Sequence, residues 1–222
     1  MTNEQPIPDE PRVLLINKPY EWTSFDVVKK LKHGLKVRKI GHAGTLDPLS
    51  TGLLILCTGK MTKQIDTFQA QEKEYTGTFV LGQTTPSFDL ETVVDQEKDI
   101  AHITLDDIED AAQQLTGEIS QIPPIFSAVK VNGKRAYKSA RKGEDVKLKA
   151  RDVTIETFEL TKIDLPEVHF RIVCSKGTYI RSIARDLGEI LGVGAHMSAL
   201  CRTRIGEHKL SDAKTIEEML TL

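Results

Sequence analysis

Gly41-His42-Ala43-Gly44-Thr45-Leu46-Asp47-Pro48-Leu49-Ser50-Thr51-Gly52, continuing into Leu53-Leu54-Ile55-Leu56-Cys57, is the stretch on which the reading of this chain turns. The unbroken apolar run reads as a buried strand. The segment before it reads as a glycine-rich loop that carries one carboxylate and one imidazole. Gly and Pro around an Asp are also what an ordinary turn requires. The segment lacks Gly-x-Gly-x-x-Gly, so it is not a dinucleotide fingerprint. No Gly-Lys-Ser/Thr closes it, so it is not a phosphate-binding Walker loop.

Charge around the loop is strongly segregated. Lys29, Lys30, Lys32, Lys36, Arg38, Lys39, Lys60 and Lys63 surround it, with Asp47 the one acid among them. A second basic block holds Lys130, Lys134, Arg135, Lys138, Arg141, Lys142, Lys147, Lys149 and Arg151 against Glu144 and Asp145. From Ser87 to Ser120 there are ten acids and one Lys. The total is only −2, so it is the distribution that points to a phosphate-backbone footprint on the basic face. Solvated basic faces are the competing reading.

The 222 residues are 39% hydrophobic and 28% charged, enough apolar content for a packed core and ordinary for a soluble protein. No apolar run approaches the ~18 residues a membrane span needs. Residues 1–11 are polar, lack the basic and apolar regions of a signal peptide, and read as a disordered leader of a cytoplasmic protein. Cys57, Cys174 and Cys201 sit in apolar strand-like segments without Cys-x-x-Cys or Cys/His clustering. They read as reduced thiols, with no metal site.

Outward from the loop, Arg12–Asn17 reads as a strand. Ser24 reads as the cap of a helix with Phe25, Val28, Leu31 and Leu35 at helical spacing. Lys60–Phe68 reads as a helix and Glu72–Leu81 as a strand. Pro86–His102 is an acidic loop, and Thr104-Leu105-Asp106-Asp107 starts a helix to Leu115. Phe126–Val131 is a strand, Asn132-Gly133 a hairpin turn and Arg135–Lys142 a basic helical turn. Strands at Val153–Thr161 and Val168–Ser175 precede a helix, Tyr179–Leu191. Strands at His196–Cys201 and Arg204–Leu210 and a helix, Ser211–Leu220, complete the chain. Strands clustered with interspersed helices and hairpin-like neighbours predict an α+β fold, a single domain with a mixed, mostly antiparallel sheet flanked by helices.

Lys176-Gly177-Thr178-Tyr179-Ile180-Arg181 lies at a strand-to-helix junction. Arg suits two-pronged binding of a carboxylate, and an Asp beside such an Arg stays ionised when buried. From the residues alone, a structural ion pair or a solvent-facing Arg at the helix start is the better reading.

The Gly41–Gly52 segment closely resembles the catalytic motif of the TruB family, the tRNA pseudouridine synthases that act on uridine 55 of the TΨC loop. Asn17-Lys18-Pro19 resembles the family's Lys-Pro element. Lys73-Glu74-Tyr75 with Leu81-Gly82 resembles its tyrosine strand. Gln121–Lys130 with Asn132–Tyr137 resembles its central block, and Cys174–Arg181 its arginine motif. These matches run in family order from about Val13 to Met219.

The resemblance implies a pseudouridine-synthase-type catalytic domain over 12–222, with a basic insertion at about 124–151 that closes over RNA. Many bacterial members carry a PUA-like domain after the catalytic one. This chain ends shortly after its last expected strand, and no PUA domain is expected. Asp47 is implied as the catalytic carboxylate, Arg181 as its binding partner, and Tyr75 as the ring that stacks on the flipped base and helps remove the C5 proton. Lys18, His42, Gly44, Tyr179, Leu200, Lys130, Arg141 and Arg202 are the implied substrate-binding set. The partner implied is the T-arm of tRNA, with no cofactor, no metal, no membrane and no obligatory protein partner, and the expected state is a monomer. Asp89 is left without an assigned role. A guide-dependent ribonucleoprotein enzyme and an RNA-folding module without chemistry are the alternatives.

Overall fold

The structure is a computed structural model and describes residues 10–127, 129–131, 133–140 and 148–221. In chain order the elements are β1 (Val13–Lys18), α1 (Ser24–Gly34), β2 (Ile40–Ala43), β3 (Thr51–Thr58), α2 (Ile65–Ala70), β4 (Lys73–Leu81), β5 (Gln83–Thr84) and β6 (Gln96–Glu97). Then come α3 (Leu105–Gln114), β7 (Gly117–Gln121), β8 (Lys130–Val131), β9 (Lys134–Arg135), α4 (Ala136–Ala140), β10 (Arg151–Asp164) and β11 (Glu167–Cys174). The last are α5 (Ile180–Ile190), β12 (Ala195–Ile205), β13 (His208–Lys209) and α6 (Ile216–Leu220). The class is α+β with a mixed, mostly antiparallel sheet, as expected. Two compact units form: one from residues up to Tyr75 together with Leu200–Leu222, the other from Thr76–Ala199. β4 and β12 each contribute residues to both.

The first unit is built around β3. It pairs antiparallel with β1 (Val13 opposite Cys57, Lys18 opposite Gly52) and with β2 (Ile40 opposite Thr58, Ala43 opposite Ile55). It also pairs in parallel with β12 at Thr51–Cys201 and Gly52–Arg202. Successive strand residues point to opposite faces, so an apolar run throughout requires a core on each side. Leu54 and Leu56 join Leu14, Ile16, Val27, Val28, Leu31, Ile216 and Met219. Leu53, Ile55 and Cys57 join Ala43 and Ile205 on the other face. Each fully buried leucine or isoleucine here contributes about 1.5–3 kcal/mol.

Helix α1 is capped by Thr23, not Ser24. The Thr23 hydroxyl accepts from the Asp26 amide at 3.0 Å, and the Asp26 carboxylate accepts from the Thr23 amide at 3.0 Å, a reciprocal capping box. Asp26, three residues after Thr23, is the sequence sign that separates these two adjacent hydroxyls.

The second unit carries the strand order β12-β4-β11-β10-β7. β10 and β11 form a long antiparallel hairpin, Ile155 opposite Cys174 and Asp164 opposite Glu167. β7, which sequence periodicity misses, is paired along β10 from Arg151–Gln121 to Ile155–Gly117. Phe79 stacks on Phe170 at 4.1 Å between ring centres, and Phe158 meets both edge-on. β5, just before the acidic segment, pairs antiparallel with β6 inside it. The Asn132-Gly133 turn signal lies between β8 and β9, which pair antiparallel. β12 runs unbroken through Arg202 and Thr203, where a break was expected, because the charged Arg202 is buried within it; the chain turns instead at Gly206-Glu207 into β13.

Candidate active site

In the first unit Asp47 sits in a loop between β2 and β3, partly exposed. The Ser50 amide donates to the Asp47 carbonyl at 3.0 Å, so Asp47-Pro48-Leu49-Ser50 closes as a turn with Pro at its second position, where a fixed φ helps. Side chains from three different elements then hold the loop by its backbone. Ser24, at the start of α1, accepts from the Leu46 amide at 2.9 Å and donates to the Leu46 carbonyl at 3.2 Å. Lys18, at the end of β1, donates to the Pro48 carbonyl at 3.2 Å, and also to Pro19 at 2.9 Å and Trp22 at 2.5 Å. Arg202, in β12, donates to the carbonyls of Gly44 at 3.1 Å and Leu53 at 2.8 Å. Ser24, Lys18 and Arg202 are 2%, 0% and 1% exposed.

Two glycines make this loop possible. Gly44 adopts φ +91°, which side chains rarely take. Gly52 adopts φ +102°, and a Cβ there would lie 2.4 Å from the Arg202 carbonyl oxygen. The close approach that Gly52 permits is to the β12 backbone.

The electrostatics of this unit follow from burial. Loss of water pulls the Lys18 ammonium down from 10.5 to about 8; Asp47 opposes that fall, Arg202 adds to it and Asp26 opposes it. Lys18 and Asp47 are therefore within electrostatic reach of each other. Burial likewise lowers the pKa of His42 on β2; a backbone contact with Gly44 opposes this and the Arg202 charge reinforces it. His42 is neutral near pH 7 on this account. Tyr75 and Leu200 are buried, and Thr51 donates to the Leu200 carbonyl at 3.5 Å. The sequence-derived residues Lys18, His42, Gly44, Asp47, Tyr75, Leu200 and Arg202 thus all belong to the first unit. A cleft of about 490 Å³ in the same unit is lined by Lys18 but by none of the others, and its walls are largely apolar (Pro19, Trp22, Leu210, Ile216).

The second unit holds Tyr179 and Arg181. Gly177, at φ +85°, turns the chain out of β11 into α5. The first turn of α5 has no capping side chain of its own. Gln121, fully buried, clips it instead: the Gln121 amide group donates to the Tyr179 carbonyl at 3.1 Å and accepts from the Tyr179 amide at 2.8 Å. The Arg151 guanidinium lies 4.6 Å from the centre of the Tyr179 ring. Arg181 is buried and donates to the carbonyls of Ser87 at 3.2 Å and Phe126 at 3.0 Å. Its Nε lies 3.5 Å from the Asp89 carboxylate, also buried.

Asp89 thus has the role that the sequence left open: it is an ionic partner of Arg181. The Asp89 carboxylate also accepts from the Glu91 amide at 3.0 Å, and Ser87 and Thr85 both donate to its carbonyl. No short-range pattern announces this pair, whose members lie far apart in sequence. Lys130 is in β8, and Arg141 lies outside the described residues. Among the described residues no group of three or more His, Cys, Asp or Glu is arranged as metal ligands would be, and no helix is long and apolar enough to cross a membrane.

The N-terminal domain model of the TruB family pseudouridylate synthases matches residues 32–180, and the C-terminal domain model of tRNA pseudouridylate synthase B matches 181–222. Curated relatives named tRNA pseudouridine synthase B include one from Phocaeicola vulgatus, 54% identical over 94% of this chain and 91% of its own. One from Flavobacterium johnsoniae is 54% identical over 92% of each chain, and one from Chlorobaculum tepidum 48% over 96% of this chain and 90% of its own. Among solved structures, a chain in the crystal structure of a Cbf5-Nop10-Gar1 complex matches with a TM-score of 0.75 at 31% identity. The match covers 96% of this chain and 54% of that one, so this chain spans about half its length. With one family model covering residues 32–180, a second covering 181–222, and relatives 48–54% identical over more than nine-tenths of it, the chain belongs to the TruB family of pseudouridylate synthases.

Proposed function

We propose that this chain converts uridine to pseudouridine at position 55 in the TΨC loop of tRNA, with Asp47 as the essential group. The observation that carries the reading is a partly exposed aspartate on a loop whose backbone is held at Gly44, Leu46, Pro48 and Leu53 by buried side chains. The relatives' name, tRNA pseudouridine synthase B, supports tRNA as the substrate. The reaction is an isomerisation. The N1–C1′ bond breaks, the uracil turns, a C5–C1′ bond forms, the proton leaves C5, and N1 gains one. Nothing is oxidised or reduced, so no cofactor, metal or energy source is required.

A base inside a folded T-arm is reached by flipping it out and receiving it on an aromatic face, the role proposed for Tyr75. Asp47 initiates glycosidic cleavage. Arg181 has the proposed role, from the family resemblance, of charge partner to that carboxylate, and within its own unit it is braced by Asp89. The substrate-binding role proposed from the family resemblance falls to His42, Gly44, Leu200, Lys18 and Tyr179, and Arg202 holds the loop of Asp47. The basic segment containing Lys130 and Arg141 closes on the phosphate backbone, which makes binding weaken as salt rises. The enzyme works in the cytoplasm as a monomer without an obligatory protein partner.

The test is to incubate the purified protein alone with unmodified tRNA transcript and map pseudouridine by carbodiimide-dependent primer extension. A stop at the T-loop uridine that disappears in Asp47→Asn is the expected result. Binding without any stop would favour an RNA-folding role, and a stop seen only with added RNA or protein would favour a guide-dependent enzyme.

A further inference from the structure

We propose that Ser24 is a positioning residue for Asp47, acting through the backbone of Leu46. The inference rests on the proposed role of Asp47. A serine at the start of a helix ordinarily serves the helix, by accepting from an exposed amide of the first turn. Here that work is done next door: Thr23 and Asp26 complete the capping box between them. The Ser24 hydroxyl is turned instead to the loop, where it takes the Leu46 amide proton and gives its own to the Leu46 carbonyl. Both polar backbone groups of the residue immediately before Asp47 are thus fixed by one buried oxygen.

Leu46 is itself buried, so those two groups have no water to turn to if the hydroxyl is removed. Two bonds to one peptide residue also restrict more than one would. They set the position of Leu46 and the direction in which the following peptide leaves it, and the Cα–Cβ bond of Asp47 leaves from that peptide. The remaining anchors act farther away, Arg202 on Gly44 and Leu53, and Lys18 on Pro48. Ser24 is the side chain bonded directly to the residue preceding the carboxylate, and it ties that residue to α1, whose Val27, Val28 and Leu31 are packed in the core.

Ser24→Ala deletes the oxygen and leaves the Thr23 cap and the α1 core untouched. Ser24→Thr keeps the oxygen. The readouts are the single-turnover rate of pseudouridine formation with saturating enzyme, the dissociation constant for the tRNA transcript, and the melting temperature. All are taken at a temperature where circular dichroism shows every variant folded. A carboxylate released from its attack geometry costs rate and not affinity, so Ser24→Ala is expected to lose roughly 10- to 100-fold in single-turnover rate, with the dissociation constant within about twofold of wild type. Ser24→Thr is expected to stay within about fivefold of the wild-type rate.

A folded Ser24→Ala enzyme with the wild-type rate overturns the inference. So does a rate loss that only tracks weakened tRNA binding, or a folded Ser24→Thr enzyme as slow as Ser24→Ala. Asp47→Asn is measured alongside. If it stays active, the reading of Asp47 fails; if it is dead while Ser24→Ala is fast, only the positioning role fails.

Discussion

The loop of Asp47 and the junction of Arg181 fix a charged side chain by opposite means. Around Asp47 the protein holds the main chain: buried side chains take up the backbone groups of Gly44, Leu46, Pro48 and Leu53, and Asp47 is a partly exposed residue. Around Arg181 the protein holds the side chain itself, with two carbonyls and a buried carboxylate on the guanidinium. On the proposed roles, the group that meets the substrate is placed through its backbone, and the group that supplies a standing charge through its hydrogen bonds. The two designs fail differently when broken.

The largest effect on stability is expected in the second unit. Asp89→Ala removes a buried carboxylate from beside the Arg181 guanidinium, and breaking such a pair from one side costs about 3–5 kcal/mol. Chemical denaturation should show that loss, and Asp89→Asn, which keeps an oxygen acceptor, should lose less. Equal stability of wild type and Asp89→Ala would mean that Arg181 does not depend on Asp89.

Next are two glycines of similar conformation in different surroundings. Gly52 has φ +102° and faces the Arg202 backbone; Gly117 has φ +94° and nothing within 4 Å of an added Cβ. Gly117→Ala carries only the conformational cost, about 1–2 kcal/mol. Gly52→Ala adds a backbone clash and is expected to cost about 2–4 kcal/mol and to slow the reaction, because the loop of Asp47 ends there. Denaturation of the two variants side by side checks this, and equal losses would show that β12 yields to the methyl.

The smallest effect concerns Lys18. In the unfolded chain its proton is held up to about 10.5, in the folded one to about 8. Between those values the unfolded chain binds more protons, so this group adds stability as pH rises through the window and adds none below it, where it is charged in both states. Lys18→Met removes the dependence. Each pH unit inside the window is worth ~1.4 kcal/mol at most, so the stability of wild type relative to the variant should grow by about 1–2 kcal/mol between pH 8 and 10. A constant difference across that range would place the Lys18 titration elsewhere.

How far these regions can be read from sequence depends on whether the signal is local. Leu53–Cys57 is legible because a strand buried on both faces must be apolar throughout. The helices at Ser24 and Leu105 are legible from their periodicity, the second also from its Thr104 cap. β2 is hidden by Gly41 and the loop character of its neighbours. β7 is short and half polar, and it exists because β10 offers it an edge. β12 splits on paper at Arg202, since a charge mid-strand reads as solvent-facing until Gly44 and Leu53 are seen to receive it. In the site, the motif around Asp47 is contiguous and announces itself. The Asp89–Arg181 pair and the Ser24–Leu46 bonds are tertiary facts, visible only once distant segments meet.

The most direct test is the single-turnover rate of Asp47→Asn on unmodified tRNA transcript, with tRNA affinity and melting temperature measured on the same preparation. Since the loop is held by its backbone, the substitution should leave affinity within about threefold and the melting temperature within about 2 °C of wild type, as at other partly exposed positions. The rate should fall by on the order of a thousandfold or more, about 4 kcal/mol of lost transition-state stabilisation. A folded, tRNA-binding Asp47→Asn enzyme that still forms pseudouridine at a rate near wild type would contradict it.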